Sequence, residues 1–369
     1  MGRALAAVAA ALVAVSSASA GPPPVVAKAY FVENGATGEV LAGQHASARV
    51  PIASITKLMT ALVALERADV DDVVVAAPSA SVIGESTINL RTGERISVGD
   101  LVEAALVQSA NDAAWALAAH VGKGDVSAFV RLMNAKARAL GLRETHFVRP
   151  DGLDVPGHVS SARDVTLLAR VAMHNATIRS IVDDRTATIA GGRRLHTWND
   201  LLGSFPGLIG VKTGHTDAAG WSQVAAARGY GFVLYATLLG SPTRAQRNTD
   251  LAALLSWGLA RYAPVAVIDE TRKYARAEVG FDLEPVALVA LRPVVRAARV
   301  ERSLRERIVA ATAVELPVRR GQPLGEVRVY DGARLVASSP LVAARGVEQP
   351  DFTDRASWYA KRTLSNLWP

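Results

Sequence analysis

Three groups of side chains have the types and spacing that acyl transfer needs: Ser54 with Lys57, Ser109 with Asn111, and Lys212-Thr213-Gly214. A serine hydroxyl is a poor nucleophile at neutral pH and needs a base beside it. Three residues is just under one helical turn, so Ser54 and Lys57 share a face if a helix starts here. Lysine accepts a hydroxyl proton only when its pKa falls, and a helix start, a second cation and partial burial all lower it. Pro51 precedes the segment, Lys212 is a second cation, and Ile55 and Leu58 are apolar neighbours. A backbone N–H at a helix start has no intrahelical acceptor, so Ser54 also offers half of an oxyanion hole. Taken alone, the pair also fits an N-cap serine and a solvated lysine.

Ser109 and Asn111 fall in a short loop between two helical patterns. From an extended loop, positions i and i+2 point into one cleft. Serine can relay a proton to a leaving amine, and asparagine can hold a substrate amide and a catalytic lysine. Asn111 also fits a cap that opens a helix at Asp112. In Gly207–Thr216, Ile209, Val211 and Thr213 alternate with Gly210, Lys212 and Gly214, the period of a strand. An edge strand beside a cleft can bind an extended peptide as an added strand. Gly214 removes a side chain where a substrate must approach closely. Lys212 adds positive charge, Thr213 or Thr216 can bind a terminal carboxylate, and the His215 backbone N–H is the second oxyanion donor. An ordinary edge strand with a solubilising lysine is the other reading. The seven histidines are scattered without metal-ligand spacing, so neither metal nor cofactor is expected.

The elements that must position these groups follow from periodicity. Ala29–Glu33 and Glu39–Ala42 read as strands around Asn34-Gly35 and Thr37-Gly38 turn signals, and Ser54–Arg67 as a helix. Helical patterns return at Val98–Gln108, Asp112–Val121, Asp125–Leu140 and Ala162–Asn175. Trp221–Ala227 and Phe232–Leu239 read as a hairpin about Gly229-Tyr230-Gly231, and Thr243–Tyr262 as a helix ended by Pro264. Strands at both ends enclose a helical middle. The expected fold is therefore α+β: an antiparallel sheet flanked by helices, with an inserted all-helical lobe and a cleft between them. Beyond Pro264, Ala275–Phe281, Val286–Leu291, Ile308–Leu316, Gly325–Tyr330 and Arg334–Ser338 read as a small all-β domain. The expected division is a signal peptide (1–20), a catalytic domain (21–263), a β-rich domain (264–350) and an amphipathic helix (351–369).

Arg3, the unbroken apolar stretch Ala4–Val15 and Ala18-Ser19-Ala20 form the pattern of a cleaved export signal, with an uncleaved anchor as the other reading. The formal charge is +7 and cysteine is absent, which excludes a disulfide framework and a thiol nucleophile. For an exported basic protein, an anionic membrane surface or acidic wall polymer is a better partner than nucleic acid. In the last segment Phe352, Ala356, Tyr359, Ala360, Leu364 and Leu367 share one face, with Trp368 at its margin. Arg355, Lys361 and Arg362 lie opposite, and Trp358 falls on the polar side. Such a helix lies in a membrane interface or docks on the body of the protein.

These segments together resemble the D-alanyl-D-alanine carboxypeptidases, low-molecular-mass penicillin-binding proteins of bacterial cell-wall metabolism. Pro51-Ile52-Ala53-Ser54-Ile55-Thr56-Lys57-Leu58-Met59-Thr60 is similar to the family's nucleophile segment, and Lys212-Thr213-Gly214-His215-Thr216-Asp217-Ala218-Ala219-Gly220 to its strand motif. Asp151-Gly152-Leu153 followed by Ser160-Ser161-Ala162-Arg163-Asp164 is similar to a third stretch. Ala110 stands where many relatives have glycine, a change that leaves the two polar side chains in place. The likeness is strong as far as Pro264 and weak in detail after it.

The resemblance implies a β-lactamase/transpeptidase-like fold. It also implies a periplasmic enzyme, peripheral on the outer face of the inner membrane through its C-terminal helix. Ser54 would attack the bond between two terminal D-alanines of a peptidoglycan stem peptide, with Lys57 as base and the Ser54 and His215 N–H groups as oxyanion donors. Ser109 would protonate the leaving D-alanine while Lys212 keeps the site electropositive. Asn111, Thr213, Gly214 and Thr216 would bind substrate, and β-lactams would acylate the same serine. An endopeptidase or transpeptidase of the same fold differs only in cleft shape and acceptor. A class A β-lactamase needs a glutamate loop, but only Glu144 lies between Ser109 and Lys212, in Arg143-Glu144-Thr145-His146. A wall-binding scaffold with a vestigial site is the non-enzymatic alternative.

Overall fold

The computed structural model describes residues 21–367. The export signal expected over 1–20 and Trp368 lie outside the described residues. The chain enters through β1 (Ala29–Asn34) and β2 (Glu39–Gln44), an antiparallel pair. Asn34 closes their turn: its Oδ1 accepts the Ala36 N–H and its carbonyl the Gly38 N–H. A 3₁₀ turn, Ala53–Thr56, leads into α1 (Lys57–Leu65), in which every residue from Lys57 to Ala64 is buried. Then come β3 (Val73–Val75), α2 (Pro78–Ser81), β4 (Arg95–Ser97) and α3 (Val98–Glu103), followed by a π-helical turn, Ala104–Gln108. The lobe continues with α4 (Asn111–Val121), α5 (Val126–Ala139), α6 (Ala162–Ala172) and α7 (Ala176–Ile181). A small hairpin, β5 (Thr186–Ile189) and β6 (Arg193–His196), precedes β7 (Leu208–Thr216), β8 (Gly220–Gly229), β9 (Phe232–Ser241) and α8 (Arg244–Ala260).

The central sheet has the order β2-β1-β9-β8-β7 and all its pairings are antiparallel. The helical segment is thus inserted between two strands of one sheet, and β7 is left at its edge. Leu251, Leu254 and Leu255 of α8 cover one face with Val32 and Leu234. The opposite face buries Phe31, Val224 and Leu239 against α1, α4 and α6. Apolar side chains on both faces make this a buried sheet clothed by helices, the α+β architecture expected.

Several boundaries differ from the sequence pattern. The helix expected over Ala162–Asn175 stops at Ala172, because Asn175 caps α7 by accepting the Ile178 N–H at 3.1 Å. α7 and the β5–β6 hairpin went unread, since each is too short to show a period. α8 ends at Ala260, and Pro264 lies inside β10 (Tyr262–Ile268) instead of ending a helix. β10 pairs with a single partner strand, so proline withholds its missing N–H on an edge.

The later region is all β: β11 (Lys273–Ala277), β12 (Val286–Ala290), β13 (Val294–Arg299), β14 (Arg305–Ala310), β15 (Pro323–Asp331) and β16 (Arg334–Ala343). β10 pairs with β13, and the others form a sheet ordered β11-β12-β16-β15-β14. Glu39 on β2 ties this region to the central sheet. It accepts from Tyr262 Oη at 2.6 Å and pairs with Arg299 at 3.2 Å and Arg302 at 2.8 Å. Burial and the adjacent Glu39 push the Tyr262 phenol up to about 12. The chain finishes in α9 (Phe352–Leu367). Trp358, on the polar side in the sequence pattern, has a partner: its ring lies 5.1 Å from that of Phe281. Phe352, Tyr359 and Leu364 remain exposed at 78%, 59% and 67%.

Candidate active site

Ser54 sits in the 3₁₀ turn ahead of α1, and its neighbours Ile52, Ala53, Ile55 and Thr56 are all buried. The turn is held down from outside. Gly152, at φ 90°, lies so close that a Cβ there would stand 2.0 Å from the Ala53 carbonyl oxygen. Thr56 Oγ1 lies 2.8 Å from His158 Nε2. The Val148 N–H donates to His158 Nδ1 at 3.1 Å, so the ring proton sits on Nε2 and is donated to Thr56. Burial pushes the His158 pKa down to about 4, which keeps this ring neutral. Ser54 itself is left half-buried on the wall of a cleft of about 240 Å³.

Lys57 is the first residue of α1 and is fully buried. Its Nζ has three neighbours: Asn111 Oδ1 at 2.6 Å, the Asp151 carbonyl at 2.7 Å and Ser54 Oγ at 2.7 Å. The first two are acceptors only, and each takes one N–H. A neutral amine has two hydrogens, so its lone pair is left for the Ser54 hydroxyl, the geometry of a general base. Burial lowers the Lys57 pKa to about 8, while the carboxylates of Asp151, Glu85 and Asp112 oppose the shift and Arg149 adds to it. Of the three causes expected from sequence, burial is the largest.

The Ser109–Asn111 segment departs from the extended loop expected. The π-helical turn ends at Ser109 in a left-handed conformation, φ 67°, and Asn111 opens α4. That reversal lets Ser109 face Lys212 while Asn111 faces Lys57. Asn111 is therefore both the first residue of a helix and a partner of Lys57, and its side chain makes no capping bond.

Lys212 on β7 is 2% exposed, with Nζ 2.9 Å from Ser109 Oγ and 3.1 Å from the Thr213 carbonyl. Burial, then Lys57 and Arg247, hold its pKa well below that of a free lysine. Gly214 is required by the protein itself: a Cβ there would stand 2.7 Å from the Ile52 carbonyl oxygen, so β7 and the nucleophile turn touch backbone to backbone. His215 stacks on Trp221 with ring centroids 3.9 Å apart, and both line the cleft. Thr213 lines it too. Thr216 does not, a correction: its hydroxyl donates to Asp154 at 2.7 Å and accepts the Ala219 N–H at 3.1 Å, closing the β7–β8 turn.

Four groups of the site were not read from sequence. Asp151 is fully buried, held by Arg149 at 2.5 Å and Trp115 at 2.7 Å, and it positions its own carbonyl on Lys57. Arg247 on α8 is 1% exposed yet lines the cleft. Its Nη2 donates to Asp200 at 3.1 Å and its Nε to Asn248 at 3.0 Å, while Nη1 has no protein acceptor among the described residues. Burial lowers its pKa to about 10, so it stays charged at neutral pH. Trp198 and Glu85 complete the walls. The K-T-G-H segment was the available signal for a strand, but nothing local marks an arginine on a distant helix as its neighbour.

Residues 16–243 match the family described as D-alanyl-D-alanine carboxypeptidase. Over 355 residues the chain is 32% identical to D-alanyl-D-alanine carboxypeptidase DacD of Salmonella typhimurium, covering 92% of this chain and 90% of that protein. Its fold matches the crystal structure of penicillin binding protein 6B from Escherichia coli with a TM-score of 0.67, at 27% identity over 89% of this chain and 98% of that one. It is also similar to penicillin-binding protein D2 from Listeria monocytogenes in an ampicillin-bound form, with a TM-score of 0.58 and 34% identity over 63% of this chain and 98% of that one.

Proposed function

The chain belongs to the D-alanyl-D-alanine carboxypeptidase family, and from that premise we propose how its own residues perform the hydrolysis. Ser54 Oγ attacks the carbonyl carbon between the two terminal D-alanines of a peptidoglycan stem peptide. Lys57 Nζ takes the hydroxyl proton, and the oxyanion rests on the backbone N–H groups of Ser54 and His215. The C–N bond then breaks. The proton held by Lys57 is relayed through Ser109, hydrogen-bonded to Lys212, to the departing amine. D-alanine thus leaves neutral at nitrogen, Ser109 ends as a hydroxyl, Lys57 is again a neutral base and Ser54 carries an ester. Water, deprotonated by Lys57, hydrolyses that ester. Thr213 and the uncommitted Nη1 of Arg247 receive the terminal carboxylate, the role Thr216 was expected to share. A charge-assisted bond from a buried guanidinium suits that group better than a neutral hydroxyl.

The observation that carries the reading is the Lys57 amine, whose two obligate acceptors leave its lone pair for Ser54 at 2.7 Å. A β-lactam enters the same cleft as a mimic of the dipeptide, as ampicillin binds the Listeria relative. Mass spectrometry of the wild type and Ser54→Ala tests both points, with a penicillin and with a pentapeptide ending in D-Ala-D-Ala. A stable adduct on Ser54 and release of one D-alanine are expected. A folded wild type that gives neither adduct nor product would overturn the catalytic reading, and rapid penicillin turnover would transfer it to a β-lactamase.

We further infer that α9 lies on the outer face of the inner membrane, so that the enzyme works as an exported, peripheral protein. No helix of the described residues is long and apolar enough to cross a bilayer. The exposed Phe352, Tyr359 and Leu364 support a helix lying in the interface, with Trp358 and Phe281 fixing it to the all-β region.

A further inference from the structure

One charged group of the cleft has no part in the hydrolysis: Glu85. It stands at φ 64°, a left-handed conformation that is strained for a residue with a Cβ. The conformation is held from both sides by one residue. Asn111 donates Nδ2 to the Gly84 carbonyl at 3.1 Å and its backbone N–H to the Ser86 carbonyl at 2.7 Å. Gln108 reinforces the loop, accepting from Ser86 Oγ at 2.8 Å and donating to the Thr87 carbonyl at 2.7 Å. The segment that presents Ser109 and Asn111 therefore also pins the Glu85 backbone. The carboxylate is exposed and makes no hydrogen bond or ion pair among the described residues. A strained residue fixed at an active site, with its charged end unspent, points to a ligand.

The charges of the cleft give the ligand's polarity. Arg247 on α8 takes the terminal carboxylate, so the peptide runs from Arg247 past Ser54 toward Asn111. Glu85 flanks Asn111 and meets the acyl side of the scissile bond. We propose that Glu85 is a specificity-determining residue that receives a cationic side chain on that side, such as the free amine of a diamino acid preceding the D-alanine pair. The inference rests on the carboxypeptidase reading. Glu85 touches no reacting atom and acts by pairing with substrate in a half-solvated groove.

The test compares two peptides that differ in one charge: Lys-D-Ala-D-Ala and Nε-acetyl-Lys-D-Ala-D-Ala, both blocked at the amino terminus. D-alanine release gives kcat/KM for each. The wild type should prefer the free amine about fivefold, the scale of an ion pair in a partly solvated groove, and the preference should shrink as salt rises. Glu85→Gln should bring the ratio to about one. Glu85→Lys should invert it toward the acetylated peptide. Removing Glu85 also alters the field at Lys57, but that change acts on both peptides and cancels in the ratio. A wild-type ratio of one, or a preference that survives Glu85→Gln, would overturn the proposal while leaving the carboxypeptidase reading intact. Release of D-alanine from neither peptide would overturn both.

Discussion

Acylation of Ser54 should climb with pH along a single limb set by Lys57. The amine works as a base only when neutral, and its pKa is about 8. At pH 7 about one-tenth of the molecules then carry the neutral amine, and at pH 9 about nine-tenths, so the second-order acylation constant should rise roughly tenfold across that interval and level off. Stopped-flow acylation by a chromogenic cephalosporin, from pH 6 to 10, reads the limb directly in the free enzyme. The Asp151 carboxylate holds the Lys57 pKa up, against burial. Asp151→Asn should therefore move the limb to lower pH even if it lowers the plateau. A flat profile would refute the reasoning. So would a rise that continues tenfold per unit to pH 10, as an ordinary lysine would give.

Four further outcomes follow from the same geometry. Gly214→Ala places a methyl 2.7 Å from the Ile52 carbonyl oxygen and should cut kcat/KM about 100-fold by displacing the Ser54 turn, measured as D-alanine release. Arg247→Gln should lower kcat/KM for a D-Ala-D-Ala peptide about 10- to 100-fold, the worth of a charged hydrogen bond, while changing little for the C-terminally amidated peptide. His158 is kept neutral with a pKa of about 4 against 6.5 for a free ring, so its contribution to stability is present above 6.5 and lost as pH falls toward 4. Between those limits the wild type should lose about 3 kcal/mol of unfolding free energy that His158→Gln does not, read from urea curves at pH 7 and 4. Phe352→Ser and Leu364→Ser should each weaken binding to anionic lipid vesicles about tenfold by sedimentation, the loss of one buried apolar side chain.

What was legible in the sequence was whatever lies within one turn or one strand. Ser54 and Lys57 are three residues apart, a spacing that puts them on one face, and Lys212 to Gly214 form one strand segment. Ser109 and Asn111 reach their separate lysines through a left-handed residue that the spacing does not show. The β8–β9 hairpin was announced by Gly229-Tyr230-Gly231, and α5 by the helical pattern over Asp125–Leu140. Arg247, Trp198 and Glu85 reach the site through tertiary packing, and no local pattern connects them. Asp151 stood in the third family-like stretch, but nothing in it pointed to the contact with Lys57. Thr216 was misassigned because a strand motif does not tell where the strand ends and its turn begins. Gly214 was read as a close-approach position on the cleft, which it lines, and the structure adds a neighbour from the chain itself, the Ile52 carbonyl. Pro264 was taken as a helix stop because an edge strand tolerates the same residue.

The position of β7 has a consequence for what the enzyme leaves alone. An unpaired sheet edge invites other strands, and folded proteins usually blunt theirs against aggregation. Here the edge stays available, but the nucleophile turn lies against it at Gly214, and Trp198, Trp221 and Glu85 wall the remaining slot. A single extended chain end fits between those walls. The margin of a folded neighbour's sheet, backed by its own layer of helices or strands, does not. The same walls that shape the reaction therefore also narrow the approach to this sheet edge, which disfavours its pairing with another sheet.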